Sequence, residues 1–183
     1  MACPACNGAF KKHRIDEHLM GESCIECKGV RFTLSDYLNY LSRTSVLDED
    51  IDEPVNYELE SDSKKALACS CGQIMSKYKI IHNSDRRIDS CNSCQSIWLD
   101  NGEWGFLKSH NLHRVINKIF TQAYQRNIRL QVTKDVLQNN YSQLLGADDY
   151  QRIQEVRSWI ESSKNKAVLK AYLNANDPYS AEK

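Results

Sequence analysis

The sequence is short of the residues that break up regular structure. Its 183 residues include three prolines (Pro4, Pro54 and Pro178) and seven glycines, too few for a collagen-like or low-complexity chain. No run approaches the ~20 apolar residues that a membrane-spanning helix needs. The start, Met1-Ala2-Cys3-Pro4-Ala5-Cys6, lacks the apolar core of a secretory leader, so the expectation is a cytoplasmic protein with no membrane partner. Net charge is also missing. Twenty-four basic side chains balance twenty-four acidic ones, which argues against a protein that coats nucleic acid by bulk charge. There is no glycine-rich phosphate loop, no local signature of a Ser-His-Asp or Cys-His catalytic pair, and no cysteine after residue 94.

Neutrality hides a segregation of charge. Residues 44–63 hold eight acids and no base, whereas 64–183 hold eighteen bases and eleven acids. The acidic stretch reads as a solvated linker over 44–66. Between Trp104 and Lys134 the pattern inverts, with no acid and with Lys108, Arg114, Lys118, Arg126 and Arg129 before Lys134.

What is present is cysteine in pairs: Cys3 and Cys6, Cys24 and Cys27, then Cys69 and Cys71, Cys91 and Cys94. In a reducing compartment, two close pairs about twenty residues apart point to metal before disulfides. Four thiolates suit tetrahedral Zn²⁺, and a short turn between paired cysteines aims both sulfurs at one ion. The expectation is therefore two zinc ions per chain, each held by one quartet. Cys69-Ser70-Cys71 has one intervening residue instead of two, and Gly72 beside it relieves the tighter turn. His13 and His82 lie mid-insert and read as solvent-facing hairpin residues.

The quartets belong to a repeat. Residues 24–32 align with 91–99 at an offset of 67, and Ser35-Asp36-Tyr37 falls on Gly102-Glu103-Trp104 at the same offset. A fixed offset means two copies of one structural unit. Each insert reads as a hairpin: outgoing strands over 9–15 and 73–81, a return near Met20-Gly21 and over 86–89, and a turn at 82–85. After each second pair, Thr33 with Asp36, and Asp100 with Glu103, have the spacing of a capping box. Trp98 and Leu99 would shield the thiolates.

Cys3-Pro4-Ala5-Cys6, together with Cys91-Asn92-Ser93-Cys94 and the run Trp98-Leu99-Asp100-Asn101-Gly102-Glu103, resembles the bacterial zinc ribbons named for transcription factor IIB. The second copy carries the Trp-Leu-Asp-x-Gly-Glu signature, and the first is a diverged version with Arg31, Phe32, Thr33, Ser35 and Asp36. The resemblance covers 3–43 and 69–108. It implies a ribbon fold and a structural metal, and its name refers to a ribbon that contacts RNA polymerase.

From Asn111 the period becomes helical, with helices over 112–123, 128–145, 148–163 and 164–174. The expected architecture is small α+β: zinc ribbon 1 over 1–43, the acidic linker over 44–66, zinc ribbon 2 over 67–109, and an α-helical domain with its own core over 110–183. Function follows as a non-enzymatic adaptor for a macromolecular partner, with a protein complex, such as a transcription assembly, ahead of nucleic acid. The alternative is a nucleic-acid-binding protein using a basic helix over 108–134 and the second hairpin. Arg86, Arg87, Lys108, Arg114, Lys118, Arg126 and Arg129 are its candidate contacts. A thiol-redox or zinc-dependent enzyme is the remaining class. It needs a reactive thiolate or an open metal position, and a four-thiolate site offers neither.

Overall fold

The computed structural model describes residues 2–44 and 65–180, so nearly all of the acidic stretch lies outside the described residues. The chain divides into two compact units, Met1–Val132 and Thr133–Lys183. The first is a small α+β unit on one antiparallel sheet. In chain order it contains β1 (Phe10–Asp16), β2 (Leu19–Cys24), β3 (Val30–Thr33), α1 (Leu34–Arg43), β4 (Ser76–Lys79), β5 (Arg87–Ser90), β6 (Ser96–Leu99), α2 (Glu103–Ser109), α3 (Ile116–Ile119) and the first half of α4 (Gln122–Leu145). α5 (Ala147–Ser162) and α6 (Lys166–Asn174) complete the second.

The repeat expected from the offset of 67 is visible as symmetry. Strand order is β1-β2-β3-β6-β5-β4, so each copy contributes three strands and the copies join through β3 and β6. Within the copies, Glu22 pairs with Arg31 as Asp89 pairs with Trp98. Across the join, Arg31 pairs with Trp98, which is residue i against residue i+67. A local two-fold axis therefore passes between these two side chains. Successive residues of a strand point to opposite faces. One face thus carries the row Lys12, Glu22, Arg31, Trp98, Asp89, Lys77, each opposite the next.

The other face is the main core. Leu19, Phe32, Ile80, Ile88, Ile97 and Leu99 pack there with Tyr37 and Tyr40 of α1, Leu107 of α2, and Ile116 and Ile119 of α3. The Tyr37 hydroxyl accepts the Ile116 backbone N–H at 3.0 Å in a buried position. Residues 110–132 therefore belong with the sheet, and the domain boundary expected at 110 falls instead at Val132. The two ribbons likewise share one sheet and are not separate domains. The physical cause is area: ribbons of about forty residues expose too much apolar surface alone, and α3 with the start of α4 covers it.

The helix expected over 112–123 is interrupted. α3 ends at Ile119, and the Thr121 hydroxyl accepts the Tyr124 N–H at the start of α4. At the far edge of the sheet, the Gln125 side chain bonds both backbone groups of Lys79, accepting its N–H at 3.2 Å and donating to its carbonyl at 2.9 Å. That amide stands in for a further strand.

The capping box of the first copy forms in full: Thr33 accepts the Asp36 N–H and Asp36 accepts the Thr33 N–H. The second adds a bond to the neighbouring indole. Glu103 accepts the Asp100 N–H at 2.8 Å, and the Asp100 carboxylate accepts the Trp98 indole N–H at 2.9 Å. The N-cap of α2 is Gly102, at φ +82°.

The second unit departs from the expected domain with its own core. Among its described residues only Ile160 is buried. Contacts between α5 and α6 include Lys170 paired with Glu161.

Candidate metal centres

Four turns build the two centres, and they share one construction. The residue after the second cysteine of each pair takes positive φ: Asn7, Lys28, Gly72 and Gln95. Its N–H returns to the carbonyl of the first cysteine, at 2.9 Å for Asn7 to Cys3, 3.2 Å for Lys28 to Cys24 and 2.8 Å for Gln95 to Cys91. The Cys69-Ser70-Cys71 turn is one residue shorter and closes by Gly72 to Cys69 at 2.9 Å. It is the one of the four that uses glycine, the residue without a side-chain penalty in this conformation.

These turns bring Cys3, Cys6, Cys24 and Cys27 into one group and Cys69, Cys71, Cys91 and Cys94 into another, with the sulfurs of each group within 4.8 Å of one another. Closest separations are 3.6 Å (Cys3–Cys27), 3.4 Å (Cys6–Cys24), 3.4 Å (Cys69–Cys94) and 3.5 Å (Cys71–Cys91). A disulfide would need about 2.05 Å, whereas four thiolates at ~2.3 Å around one ion stand about 3.8 Å apart. The donor set and its size thus fit a tetrahedral metal at both centres. Gly8 is required beside the first: a Cβ there would lie 2.9 Å from Cys24 Sγ and 3.2 Å from Cys6 Sγ.

The thiols of each group are electrostatically unlike. The Ser96 hydroxyl, 3.4 Å from Cys94 Sγ, draws Cys94 down to about 6, while burial pushes Cys69 up to about 12. Burial also opposes ionisation of Cys24, but the Cys27 and Glu26 backbone amides outweigh it and bring this thiol to about 7. Access differs as well. Cys71 and Cys94 are exposed in the second group, and only Cys6 in the first.

The sulfur-rich side of the sheet forms a second core of Cys3, Cys24, Leu67, Cys69, Met75, Cys91 and Trp98. Trp98 shields thiolates as expected, but Leu99 faces the helices instead, because neighbours along a strand alternate. The shielding also crosses the two-fold axis. A Cβ on Gly29, two residues after Cys27, would meet the Trp98 ring at 2.2 Å, and Phe10 of the first copy stacks edge-on to that ring at 6.1 Å. In return Arg31 lies over Phe10 at 4.5 Å, pairs with Glu22, and donates to the Ser70 hydroxyl at 3.0 Å. Each copy thus lends a side chain to the other copy's centre. Sequence reasoning missed Arg31 as a site residue; its place at offset 67 from Trp98 was the available signal.

The expected cationic contacts are dispersed. Arg86 stacks on Phe106 at 4.5 Å, Lys108 lies 3.6 Å from Asp16, and Arg114 donates to the Thr44 carbonyl at 3.1 Å. Arg87 is half-buried on β5. Lys118 is exposed on α3, and Arg126 and Arg129 are exposed on α4. The break before α4 separates Arg114 and Lys118 from Arg126 and Arg129, so the single basic helix over 108–134 does not exist. His13 and His82 are exposed and belong to neither sulfur group. No described helix is long and apolar enough to cross a membrane.

Comparison of the chain with family models, with curated proteins and with solved structures gives no significant match. The likeness to ribbons of the transcription factor IIB type therefore rests on the residues quoted above.

Proposed function

We propose that the protein is a non-enzymatic adaptor whose Met1–Val132 unit is held rigid by two zinc ions and whose Thr133–Lys183 unit docks other protein. The observation that carries this reading is the placement of apolar surface. Twelve of the seventeen large hydrophobic side chains exposed among the described residues lie in Thr133–Lys183, including Leu144 (80%), Trp159 (57%) and Val168 (69%). Helices of this length do not persist on propensity alone, and a surplus of this size marks a protein-binding surface. Zinc is supported by four thiolate donors at each centre, a closed set with no position for substrate or water.

The ribbon resemblance points to a large complex, with a transcription assembly among them. Nucleic acid is the weaker alternative, because Arg86, Lys108 and Arg114 are engaged within the fold. Two measurements test the proposal. Metal analysis should return two zinc ions per chain. Cross-linking of the full chain in its own cells should join α5 or α6 to protein, and Trp159→Glu should abolish those cross-links. One class of cross-link only, to nucleic acid through Lys118 and Arg126, would overturn the reading.

A further inference from the structure

We infer that the second centre is an oxidation site, where hydrogen peroxide entering an open groove joins Cys94 to Cys69 and releases the metal while the first centre keeps its own. This goes beyond the adaptor reading and requires only that both sulfur groups hold metal.

The local two-fold axis makes the centres comparable place by place, and their surroundings differ. Beside the first centre, the Trp98 indole lies against Gly29 and meets Phe10 edge-on. The counterparts of Trp98 and Gly29 at offset 67 are Arg31 and Ser96. No indole fills the space there, and an open groove of about 750 Å³ is lined by Arg31, Ser70, Cys71, Cys94 and Ser96. Both exposed sulfurs of the second centre therefore line one groove. Cys27, the counterpart of Cys94, is half-buried.

Hydroxyl groups differ too. Ser70 stands between two ligands, and Ser96 Oγ is 3.4 Å from Cys94 Sγ. The first centre has Pro4 and Ala5 between its ligands and Gly29 in the other place. Arg31 donates to Ser70 Oγ at 3.0 Å, which polarises the Ser70 hydroxyl and leaves its hydrogen for another acceptor. Glu22 and Asp36 also line the groove, but Glu22 is paired with Arg31 and Asp36 caps α1.

This combination suits a peroxide. Cysteines that ligate metal are thiolates, and a thiolate is the nucleophile that opens an O–O bond. The exposed Cys94 sulfur forms an S–O bond as the O–O bond breaks. Sulfur is oxidised to the sulfenic acid, and the other oxygen leaves as hydroxide. Hydroxyl donors at Ser70 and Ser96 stabilise that developing charge. The buried Cys69 sulfur, 3.4 Å away, then attacks Cys94 Sγ. An S–S bond forms, the S–O bond breaks, and a second hydroxide leaves. Two thiolates have given two electrons to one peroxide, and the sulfurs that remain are half of a tetrahedral set.

The test begins with metal-loaded full chain shown to hold two zinc ions, so a failure of the zinc reading is seen before peroxide is added. Hydrogen peroxide is then supplied with a chromophoric chelator, beside a chelator-only control. Remaining thiols are alkylated after unfolding and mapped by peptide mass spectrometry. The first zinc ion should leave several-fold faster than in the control, with Cys69 linked to Cys94 and with Cys3, Cys6, Cys24 and Cys27 all alkylated. Ser70→Ala should slow the peroxide-driven release several-fold and Ser70→Thr should restore it, with the chelator-only rate unchanged in both. Arg31→Met gives a second reading, since loss of the polarising cation should slow the same step. Equal oxidation of both groups, or a first disulfide within 3–27, overturns the inference. So does a release rate indifferent to both Ser70→Ala and Arg31→Met, or one no faster with peroxide than with chelator alone.

Discussion

Single residues set the local terms. Tyr37 is fully buried, and burial raises its hydroxyl far above the usual phenol range. Its oxygen is the acceptor for the Ile116 N–H, so Tyr37→Phe strands a buried donor and should cost about 1–3 kcal/mol in denaturant unfolding. His113 gives a pH dependence. Burial and the nearby cations Lys108 and Arg114 lower its pKa against the opposing pull of Asp16. The unfolded chain then takes up a proton that the folded chain refuses, so stability is lost as pH falls through the ordinary histidine range near 6.5. His113→Gln should flatten that loss between about pH 7 and 5, read as the difference from wild type in melts at each pH. At Gly72 the φ of +89° has open space around it, so Gly72→Ala should cost only the ~1 kcal/mol of left-handed strain, without a clash. This residue was legible in advance because the short Cys69-Ser70-Cys71 turn demanded it. The bond from the Trp98 indole N–H to the Asp100 carboxylate was not legible in advance, because a capping pattern says nothing of a side chain two residues earlier on the strand.

At the scale of elements, turns and hairpins were readable because cysteine spacing and strand alternation are local signals. The observed β1 and β2 lie within about a residue of the expected outgoing strand and return. The break between α3 and α4 was not readable, since an apolar period of three and four continues through 112–123 while Thr121 restarts the helix. Nor was the exchange of side chains between the copies, a long-range consequence of β3 pairing with β6. That exchange makes the centres interdependent. Trp98→Ala removes a fully buried indole at a cost of about 3–5 kcal/mol. It should also speed metal loss from the Cys3-Cys6-Cys24-Cys27 centre, although Trp98 belongs to the other repeat. Competition with a chromophoric chelator should show this; an effect confined to the Cys69–Cys94 centre would contradict it. In the wild-type chain the exposed Cys71 and Cys94 should make the second centre the first to surrender its ion.

For the whole molecule, both centres sit under one continuous sheet, so stripping metal should unfold Met1–Val132 in a single step with loss of the near-ultraviolet signal of Trp98 and Trp104. Two separable transitions would mean that the copies fold independently. The repeat itself was evident from the offset of 67, but its use as a local two-fold was not, because no short-range pattern says which strand edges will meet. The axis has a consequence for cutting the chain apart. Were residues 2–44 and 65–132 made as separate polypeptides, two copies of the first would confront Arg31 with Arg31. Two copies of the second would drive each indole onto Ser96, the counterpart of Gly29, the position at which an added Cβ would come within 2.2 Å of the Trp98 ring. Only the unlike fragments fit. The asymmetry at one cross-strand pair thus works as a lock and key between halves of a single gene product, and complementation of the severed halves would depend on which side chain stands at 31 and which at 98.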